Sequence, residues 1–262
     1  MLPAIVCIAK KEHDYIEEFV KYHLALGFKH IFLYDNEDTP TYETLLYKYK
    51  ENITFIHLPH NNYHKGVQYV ALDHFVKTYL FTTDITHVAH IDIDEFIVLK
   101  KHKNICDFID EYIIDDCQGI AINWRFFGSS GKTEKTNEAV TLRFTMCEIK
   151  GNRHIKTLFK KDNFLRFNEC HSISLSQGYI KSTNNTIVNG PFNSEKKFDV
   201  IQLNHYKVKT YPEFKYIRTR QRAGMRLVDQ TTKEDIDLNF KSYDLNEIED
   251  MYAYNFYKSI NM

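Results

Sequence analysis

The chain has 262 residues, 43% of them hydrophobic, and its 34 Lys and Arg side chains nearly balance its 35 Asp and Glu side chains. This length suits one large domain, or one domain with a small appendage. General binders of nucleic acid or of anionic membranes are more basic than this, so the composition excludes both classes and restricts any basic site to one region.

The cysteine and hydropathy patterns indicate a reducing compartment. The five cysteines are odd in number and include no Cys-x-x-Cys, which favours free thiols over a disulfide framework or a zinc site. The opening "MLPAIVCIAKKEHD" has a short apolar run without a basic start, so we expect a first strand there and not a signal peptide. No apolar run approaches the roughly 18 residues of a membrane span. We therefore expect a soluble, cytoplasmic protein with no integral membrane segment.

The first hundred residues alternate between strand and helix patterns. Strands are predicted at Ala4–Ala9, "HIFLYDN", "ITFIHL" and "THVAHIDID". Helices are predicted from Asp14 to a stop at Gly27, in "TYETLLYKYK" and over Val67–Phe81. This alternation is typical of an α/β fold with a mainly parallel central sheet and helices on its faces.

The second half is richer in strands. One helix is predicted within residues 104–117, strands in "GIAINWRFFGSSG", "AVTLRFTMCEI", "HIKTLFKK" and "FDVIQLNHYKV", and three closing helices from Pro212, Lys233 and Asp244. No linker rich in Gly, Pro or Ser separates the halves, so we expect one continuous domain.

Three carboxylates lie inside the apolar stretch "HVAHIDIDEFIVLK" of residues 87–100. Side chains alternate along a strand, so Asp92 and Asp94 are expected on the same side, near the point where the strand ends. Ligands of open parallel sheets bind beyond the carboxyl ends of the strands, and paired carboxylates there suit Mg²⁺ or Mn²⁺. The alternative is that these acids cap the next turn or pair with Lys100 and Lys101.

A second acid, Asp35 in "YDN", ends the second predicted strand. An acid at this position can accept hydrogen bonds from a ribose or a base. The alternative is that Asp35 and Asn36 form an ordinary turn.

Five segments in this order resemble glycosyltransferase family 92 and the related bacterial and viral family-2-like transferases: "IEEFVKYHLALGFKHIFLYDNEDTP", "HIDIDEFI", "NWRFFGSSG", "IKTLF" and "LNHYKVKTYPEF". The resemblance runs from about residue 4 to about residue 224. It implies a GT-A fold, a nucleotide-sugar donor that we expect to be UDP-linked, Mn²⁺ or Mg²⁺ at the Asp-x-Asp, and inverting transfer to a glycan or to a protein- or lipid-linked acceptor. It also fits a bacterial or viral source.

The resemblance implies roles for individual residues. Asp92 and Asp94 match the metal-holding pair, with Asp94 the firmer ligand, and His205 matches a late His that often completes metal binding; a lone His beside Tyr206 is alternatively structural. The positions matched to the nucleotide-sugar are Ala9, Glu12, Asp35, Lys65, Gln68, Lys156 and Lys209. The domain then divides into a nucleotide-binding half (1–103), an acceptor half (104–210) and C-terminal helices (211–262).

The chain departs from the family pattern at three places. Lys11 precedes Glu12 where the family usually has Asn, and "PEF" at 212–214 replaces an acidic pair before Phe. Ile217 stands where a Lys is expected, with Arg218 beside it. These departures concern the nucleotide edge and the C-terminal contacts.

Inverting transfer needs a base for the acceptor hydroxyl, and we assign Glu169 in "FNECHSI"; a surface acid is the alternative. Trp124, Phe126 and Phe127 offer aromatic faces for an acceptor sugar, although a lone Trp on a strand is usually core. Gly128 opens "GSSG", which we expect to be a flexible loop that shapes the acceptor site.

A basic stripe marks the helix predicted from Pro212. Lys215, Arg218, Arg222 and Arg226 are spaced three, four and four residues apart and share one face. We expect Arg218 and Arg222 to hold the diphosphate leaving group; the alternative is a stripe that only meets solvent. Two other functions use the same residues, a metal-dependent nucleotide phosphohydrolase and a non-catalytic sugar-binding module.

Overall fold

The structure is a computed structural model that describes residues 1–59, 66–219 and 232–262. Its strands are β1 (Pro3–Ala9), β2 (His30–Asp35), β3 (Ile53–His57), β4 (His87–His90), β5 (Glu95–Leu99), β6 (Cys117–Phe126), β7 (Met146–Cys147), β8 (Ile155–Lys160), β9 (Phe164–Phe167), β10 (Ile173–Leu175), β11 (Tyr179–Lys181), β12 (Ile201–His205) and β13 (Ile248–Glu249). Its helices are α1 (Ile16–Ala25), α2 (Tyr42–Leu45), α3 (Val67–Phe75), α4 (Ile105–Tyr112), α5 (Val140–Arg143), α6 (Tyr211–Thr219), α7 (Lys233–Tyr243) and α8 (Tyr252–Ser259), with a 3₁₀ turn at Tyr47–Asn52 and a π-helical turn at Val76–Leu80.

The central sheet has the strand order β3-β2-β1-β4-β8-β6-β12-β5, and β11 pairs with β6. Strands β1 to β4 are parallel, β8 is antiparallel to both of its neighbours, and β12 is parallel to β6. Strands β1, β2, β3, β4, β6 and β12 therefore all end at the same edge of the sheet. This mainly parallel sheet confirms the α/β class expected from the sequence.

Strand β1 shows why the sheet forms. All seven of its residues are buried, and alternate side chains belong to two different apolar clusters. Ile5 and Cys7 pack with α1 and α4 on one face, whereas Val6 and Ile8 pack with α3 on the other. A strand covered on both faces needs a continuous apolar run, which is what the sequence provides.

The strand predicted in "THVAHIDID" is shorter than expected, and the apolar stretch 87–100 contains two strands. Strand β4 ends at His90, the backbone N–H of Glu95 donates to the carbonyl of Asp92 at 3.0 Å, and β5 then pairs antiparallel with β12. Apolar residues on both sides of the turn hide it from a periodicity argument. Asp92 and Asp94 consequently lie on a turn and not on one face of a strand.

The segment "AVTLRFTMCEI" is also not a single strand. It forms the one-turn helix α5 and then the short β7. The buried carboxylate of Glu18 on α1 accepts the backbone N–H groups of Val140 and Thr141 at 2.6 and 2.9 Å, which stabilises the start of the helical turn. This partner is more than 120 residues away in the chain, so local propensity could not indicate it.

Other boundaries differ in smaller ways. The helix predicted from Asp244 begins at Tyr252, after β13, and strands β9, β10 and β11 were not predicted. Helix α1 ends before Gly27, whose φ of +108° permits the expected stop. All five cysteines are free thiols, as predicted. Within the described residues, no helix has the length and apolar character required to cross a membrane.

Candidate active site

A cavity of about 270 Å³ lies at the edge where the parallel strands end. Polar side chains come from the segments after β1, β4 and β12 and from helices α3 and α6, and the described ones are Lys10, Glu12, Gln68, Asp92, Asp94, His205, Lys207 and Arg218. Ile8, Ile93 and Ile217 add apolar surface. Six of these polar residues were predicted from the sequence as site residues.

Asp94 and His205 face each other across the ends of β5 and β12. Asp94 Oδ2 lies 3.5 Å from His205 Nε2, and the backbone N–H of Tyr206 donates to the Asp94 carbonyl at 2.9 Å. Burial would raise the pKa of Asp94, but His205 and then Lys209 outweigh it and lower that pKa below its usual range. Asp94 therefore stays ionised beside the His205 imidazole. The pair places an oxygen ligand and a nitrogen ligand for a metal ion next to each other.

Asp92 has a different partner. The ammonium of Lys156, whose side chain is 1% exposed, lies 3.1 Å from Asp92 Oδ2 and 3.6 Å from Glu95 Oε2. Glu95 Oε2 also accepts the backbone N–H of Asp92 at 2.9 Å. Burial, then Asp92 and Asp94, raise the pKa of Glu95 well above its usual value despite Lys156. Lys156 and Glu95 thus stabilise the turn at Asp92 from the buried side. The alternative from the sequence, that an acid caps this turn, is correct for Glu95.

Lys10 is a buried cation at the cavity. Its residue is 5% exposed, and its Nζ makes no hydrogen bond to any residue that the structure describes. Burial lowers the pKa of Lys10, with Asp38 and Glu37 opposing that shift. An ammonium at a cavity wall without a hydrogen-bond partner is suited to an anionic ligand.

A buried network fixes the start of helix α6. Glu213 accepts hydrogen bonds from Arg143 at 2.7 and 3.1 Å, from the Tyr15 hydroxyl at 2.9 Å and from the Thr210 hydroxyl at 2.6 Å. Both charged side chains of the pair are 1% exposed. Arg218 lies further along the same helix and lines the cavity, so the buried network fixes the position of the helix that presents this arginine.

The sequence was also compared with models of known protein families. The model of glycosyltransferase family 92 matches residues 3–243 of the chain. The chain belongs to glycosyltransferase family 92. This membership, together with the strand order, confirms the expected GT-A type of α/β fold.

One curated relative is a family 92 protein of rice, Oryza sativa subsp. japonica, with 25% identity over 218 residues. The alignment covers 80% of this chain and 34% of the rice protein, so the chain spans about a third of that relative's length.

Solved structures with a similar arrangement include residues 1–349 of TarS from S. aureus, with a TM-score of 0.41, 15% identity and coverage of 83% of this chain and 63% of TarS. The same part of TarS in complex with UDP-GlcNAc has a TM-score of 0.38 and 18% identity, with coverage of 62% of this chain and 46% of TarS. HddC from Yersinia pseudotuberculosis has a TM-score of 0.39 and 10% identity, with coverage of 69% of this chain and 91% of HddC.

Four described residues matched to the nucleotide-sugar do not line the cavity. One is Lys156, which is buried and binds Asp92, and the others are Ala9, Asp35 and Lys209. Ala9 is buried, and its carbonyl accepts the backbone N–H of Asn36 at 2.9 Å. Asp35 accepts the backbone N–H groups of residues 37, 41 and 42 at 3.0, 2.8 and 3.2 Å, which is the turn chemistry of the alternative interpretation. Lys209 donates to the Tyr206 carbonyl at 2.9 Å. Direct donor contacts by these four residues stay predictions.

The acceptor residues predicted from aromatic content lie mostly in the interior. Phe127 is 1% exposed and packs on Tyr206, so it offers no face to a sugar in this conformation. A Cβ on Gly128 would lie 2.4 Å from Asn246 Oδ1, so this glycine allows a close approach of the 244–246 segment. Asp244 and Asn246 bind the backbone N–H groups of Ser129 and Ser130, so "GSSG" is anchored rather than flexible, contrary to expectation.

Trp124 packs against three histidine rings, stacked on His154 at 5.0 Å and edge-on to His171 and His205 at 5.0 and 4.5 Å. Its contact with an acceptor stays a prediction. Glu169 is exposed and accepts a hydrogen bond from the Ser172 hydroxyl at 3.2 Å. Lys65 and Arg222 lie outside the described residues, and so does Arg226.

Lys10, Lys207, Arg143 and Glu213 were missed as contributors to the site. Lys10 follows β1 directly and Lys207 lies two residues after β12, so their place at the ends of parallel strands was a usable signal. Arg143 and Glu213 are 70 residues apart, and only the tertiary fold joins them.

Proposed function

We propose that this chain is a divalent-metal-dependent glycosyltransferase. It would move a sugar from a nucleoside-diphosphate donor, UDP-linked, to a hydroxyl group of a glycan or of a protein- or lipid-linked acceptor, with inversion. The observation that carries the proposal is the cavity at the strand ends, where Asp94 and His205 stand beside Lys10, Lys207 and Arg218.

The donor set fits a hard or borderline divalent ion. Ligands about 2.1 Å from an octahedral ion lie about 3 Å from each other, close to the 3.5 Å between Asp94 Oδ2 and His205 Nε2. The described residues contain no group of three or more His, Cys, Asp or Glu arranged to hold a metal. Asp94 and His205 as the two protein ligands would leave positions for substrate phosphates and water. This is the usual arrangement for Mg²⁺ at nucleotide sites. When bound, Mn²⁺ or Mg²⁺ would neutralise charge on the diphosphate.

The chain's own residues supply the rest of the chemistry. Lys10, Lys207 and Arg218 would stabilise the negative charge that develops on the leaving diphosphate. The acceptor oxygen attacks the anomeric carbon as the bond to the diphosphate oxygen breaks, and that electron pair leaves with the nucleoside diphosphate. The hydroxyl proton passes to a carboxylate base, for which Glu169 is our candidate.

Asp94→Asn tests the proposal, with Asp199→Asn as a control because Asp199 is exposed and lies at the other end of β12. We expect wild type and the control to bind UDP in a Mn²⁺-dependent manner by calorimetry, and Asp94→Asn to lose at least tenfold in that affinity. Sugar transfer is measured with labelled UDP-sugars against an acceptor panel and against water. Equal UDP affinity with and without Mn²⁺ would refute the metal role. Release of UMP and sugar 1-phosphate with no transfer to any acceptor would indicate a nucleotide phosphohydrolase.

A further inference from the structure

A second and larger cavity, of about 530 Å³, lies between helix α3 and the hairpin formed by β9 and β10. Its volume falls within the range of about 300–1,000 Å³ that is usual for ligand clefts. Gln68, Tyr69 and Leu72 are among the residues that α3 contributes, and Arg166, Asn168 and Glu169 are among those from the hairpin. We call this cavity the α3–hairpin groove.

The α3–hairpin groove shares a lining residue with the cavity at the strand ends, which we call the donor cavity. Gln68 lines both cavities, because it lies on the first turn of α3, between them. A ligand in the groove would therefore lie next to the donor cavity, separated from it by Gln68.

The loop that carries Glu169 is held in a fixed position beside the Asp92 turn. The carbonyl of Cys170 lies 3.2 Å from His90 Nδ1, at the end of β4. The hydroxyl of Thr157 donates to the carbonyl of His171 at 3.0 Å, and His171 Nδ1 lies 2.9 Å from the carbonyl of residue 155. These contacts flank Lys156 on β8, whose ammonium binds Asp92. Glu169 is thus set in the groove on an anchored loop.

The surface of the groove has the chemistry of a carbohydrate site. Tyr69 and Leu165 both line the groove and are 48% and 58% exposed, so the groove presents apolar surface. Arg166, Asn168 and Glu169 place a guanidinium, an amide and a carboxylate along the same wall. A sugar chain has apolar C–H faces and a rim of hydroxyl groups, and it can satisfy both kinds of surface at once.

We infer that the α3–hairpin groove is the acceptor subsite and that it binds a neutral oligosaccharide, with the reactive hydroxyl at the Glu169 end. The inference rests on the proposed transferase function. Both signs of charge lie in the groove, from Arg166, Glu169 and Asp73, which favours a neutral ligand over a strongly anionic one. Phe127 and Gly128, predicted as acceptor residues, have no part in this subsite.

The test measures glycan binding and donor binding separately. Wild type, Tyr69→Ala, Leu165→Asp and the control Tyr47→Ala are titrated with cellotriose, maltotriose and chitotriose by saturation-transfer-difference NMR, without donor. Tyr47 is a suitable control because it is 62% exposed and lies away from both cavities. UDP affinity with Mn²⁺ is measured on the same samples.

We expect wild type and Tyr47→Ala to bind at least one of these glycans, and Tyr69→Ala and Leu165→Asp to bind it about tenfold more weakly with unchanged UDP affinity. Unchanged glycan affinity in both groove variants, or no glycan binding by wild type, would overturn the inference. Equal loss of UDP affinity would overturn it too, since that loss would indicate general damage. Glycan binding that depends on Tyr69 in a chain without UDP affinity would support the groove and refute the proposed transferase function.

Discussion

Replacement of Lys10 by Met should change stability and donor binding in opposite directions. Lys10 is 5% exposed, and its ammonium makes no hydrogen bond to a described residue. Met has a similar length and no charge, so the variant keeps most of the packing and removes a desolvation cost that outweighs the attraction of Asp38 and Glu37. Replacement of a structural residue lowers the stability of the protein, whereas replacement of a residue that is retained for ligand binding can raise it.

The expected magnitudes follow from this burial. Buried polar groups without a partner cost about 1–3 kcal/mol, so the free energy of unfolding should rise by about that amount. For a chain of this size the melting temperature should rise by about 2–4 °C per kcal/mol. A charge-assisted hydrogen bond to the donor is worth about 1.5–3 kcal/mol, which corresponds to a loss of roughly 10- to 100-fold in UDP affinity.

Urea denaturation and calorimetry with UDP, UMP and uridine measure the two effects. Lys48→Met is the control, since Lys48 is exposed and pairs with Glu17 at the surface, and it should leave both quantities nearly unchanged. If the contact is with phosphate, uridine affinity stays constant while UDP affinity falls. A less stable Lys10→Met with full UDP affinity would refute the reasoning.

Three further predictions concern stability. Lys11 has a φ of +57° at the end of β1, a conformation that Asn tolerates better, so Lys11→Asn should raise the free energy of unfolding by about 1 kcal/mol in urea; a decrease would show that the lysine side chain matters more than its backbone. Lys156→Met leaves the partly exposed Asp92 without its partner and should cost about 1–3 kcal/mol, part of which Asp92→Asn should restore, and an unchanged urea midpoint would argue against the pair. Burial lowers the pKa of His23 to about 3, of His87 to about 4 and of His90 to about 3. Below pH 6.5 the unfolded state therefore binds more protons than the folded state, and the free energy of unfolding falls as the pH falls, by up to about 4 kcal/mol per pH unit near pH 5. Urea midpoints that do not change between pH 7 and pH 5 would contradict this.

Much of the nucleotide half could be predicted because its signals are local. Strands β1 to β4 are short apolar runs, and helices α1 and α3 carry helical spacing between them, so pattern alone gives their order. The residues directly after parallel strands gather at one edge whatever the details of packing. That rule was enough to bring Glu12, Asp92 and Asp94 to one site.

The second half was less predictable because its elements depend on distant partners. Helix α5 requires the carboxylate of Glu18. In the nucleotide half, the turn at residues 91–94 was missed for the same reason, since β5 pairs with the distant β12. Aromatic residues in "NWRFFGSSG" suggested an acceptor site, but burial of Phe127 and the contacts of Gly128 with Asn246 assign them to packing.

The sequence by itself determined the fold class, the family and the approximate position of the site, since these depend on periodicity and on motifs read along the chain. Tertiary structure decided the partners. It gave Asp92 to Lys156 and Asp94 to His205, left the ammonium of Lys10 without a hydrogen bond to the described residues, and placed Glu169 in a groove beside the donor cavity. The physical reason is that charge pairing and burial depend on distances between residues far apart in the chain, and those distances exist only after the sheet has assembled.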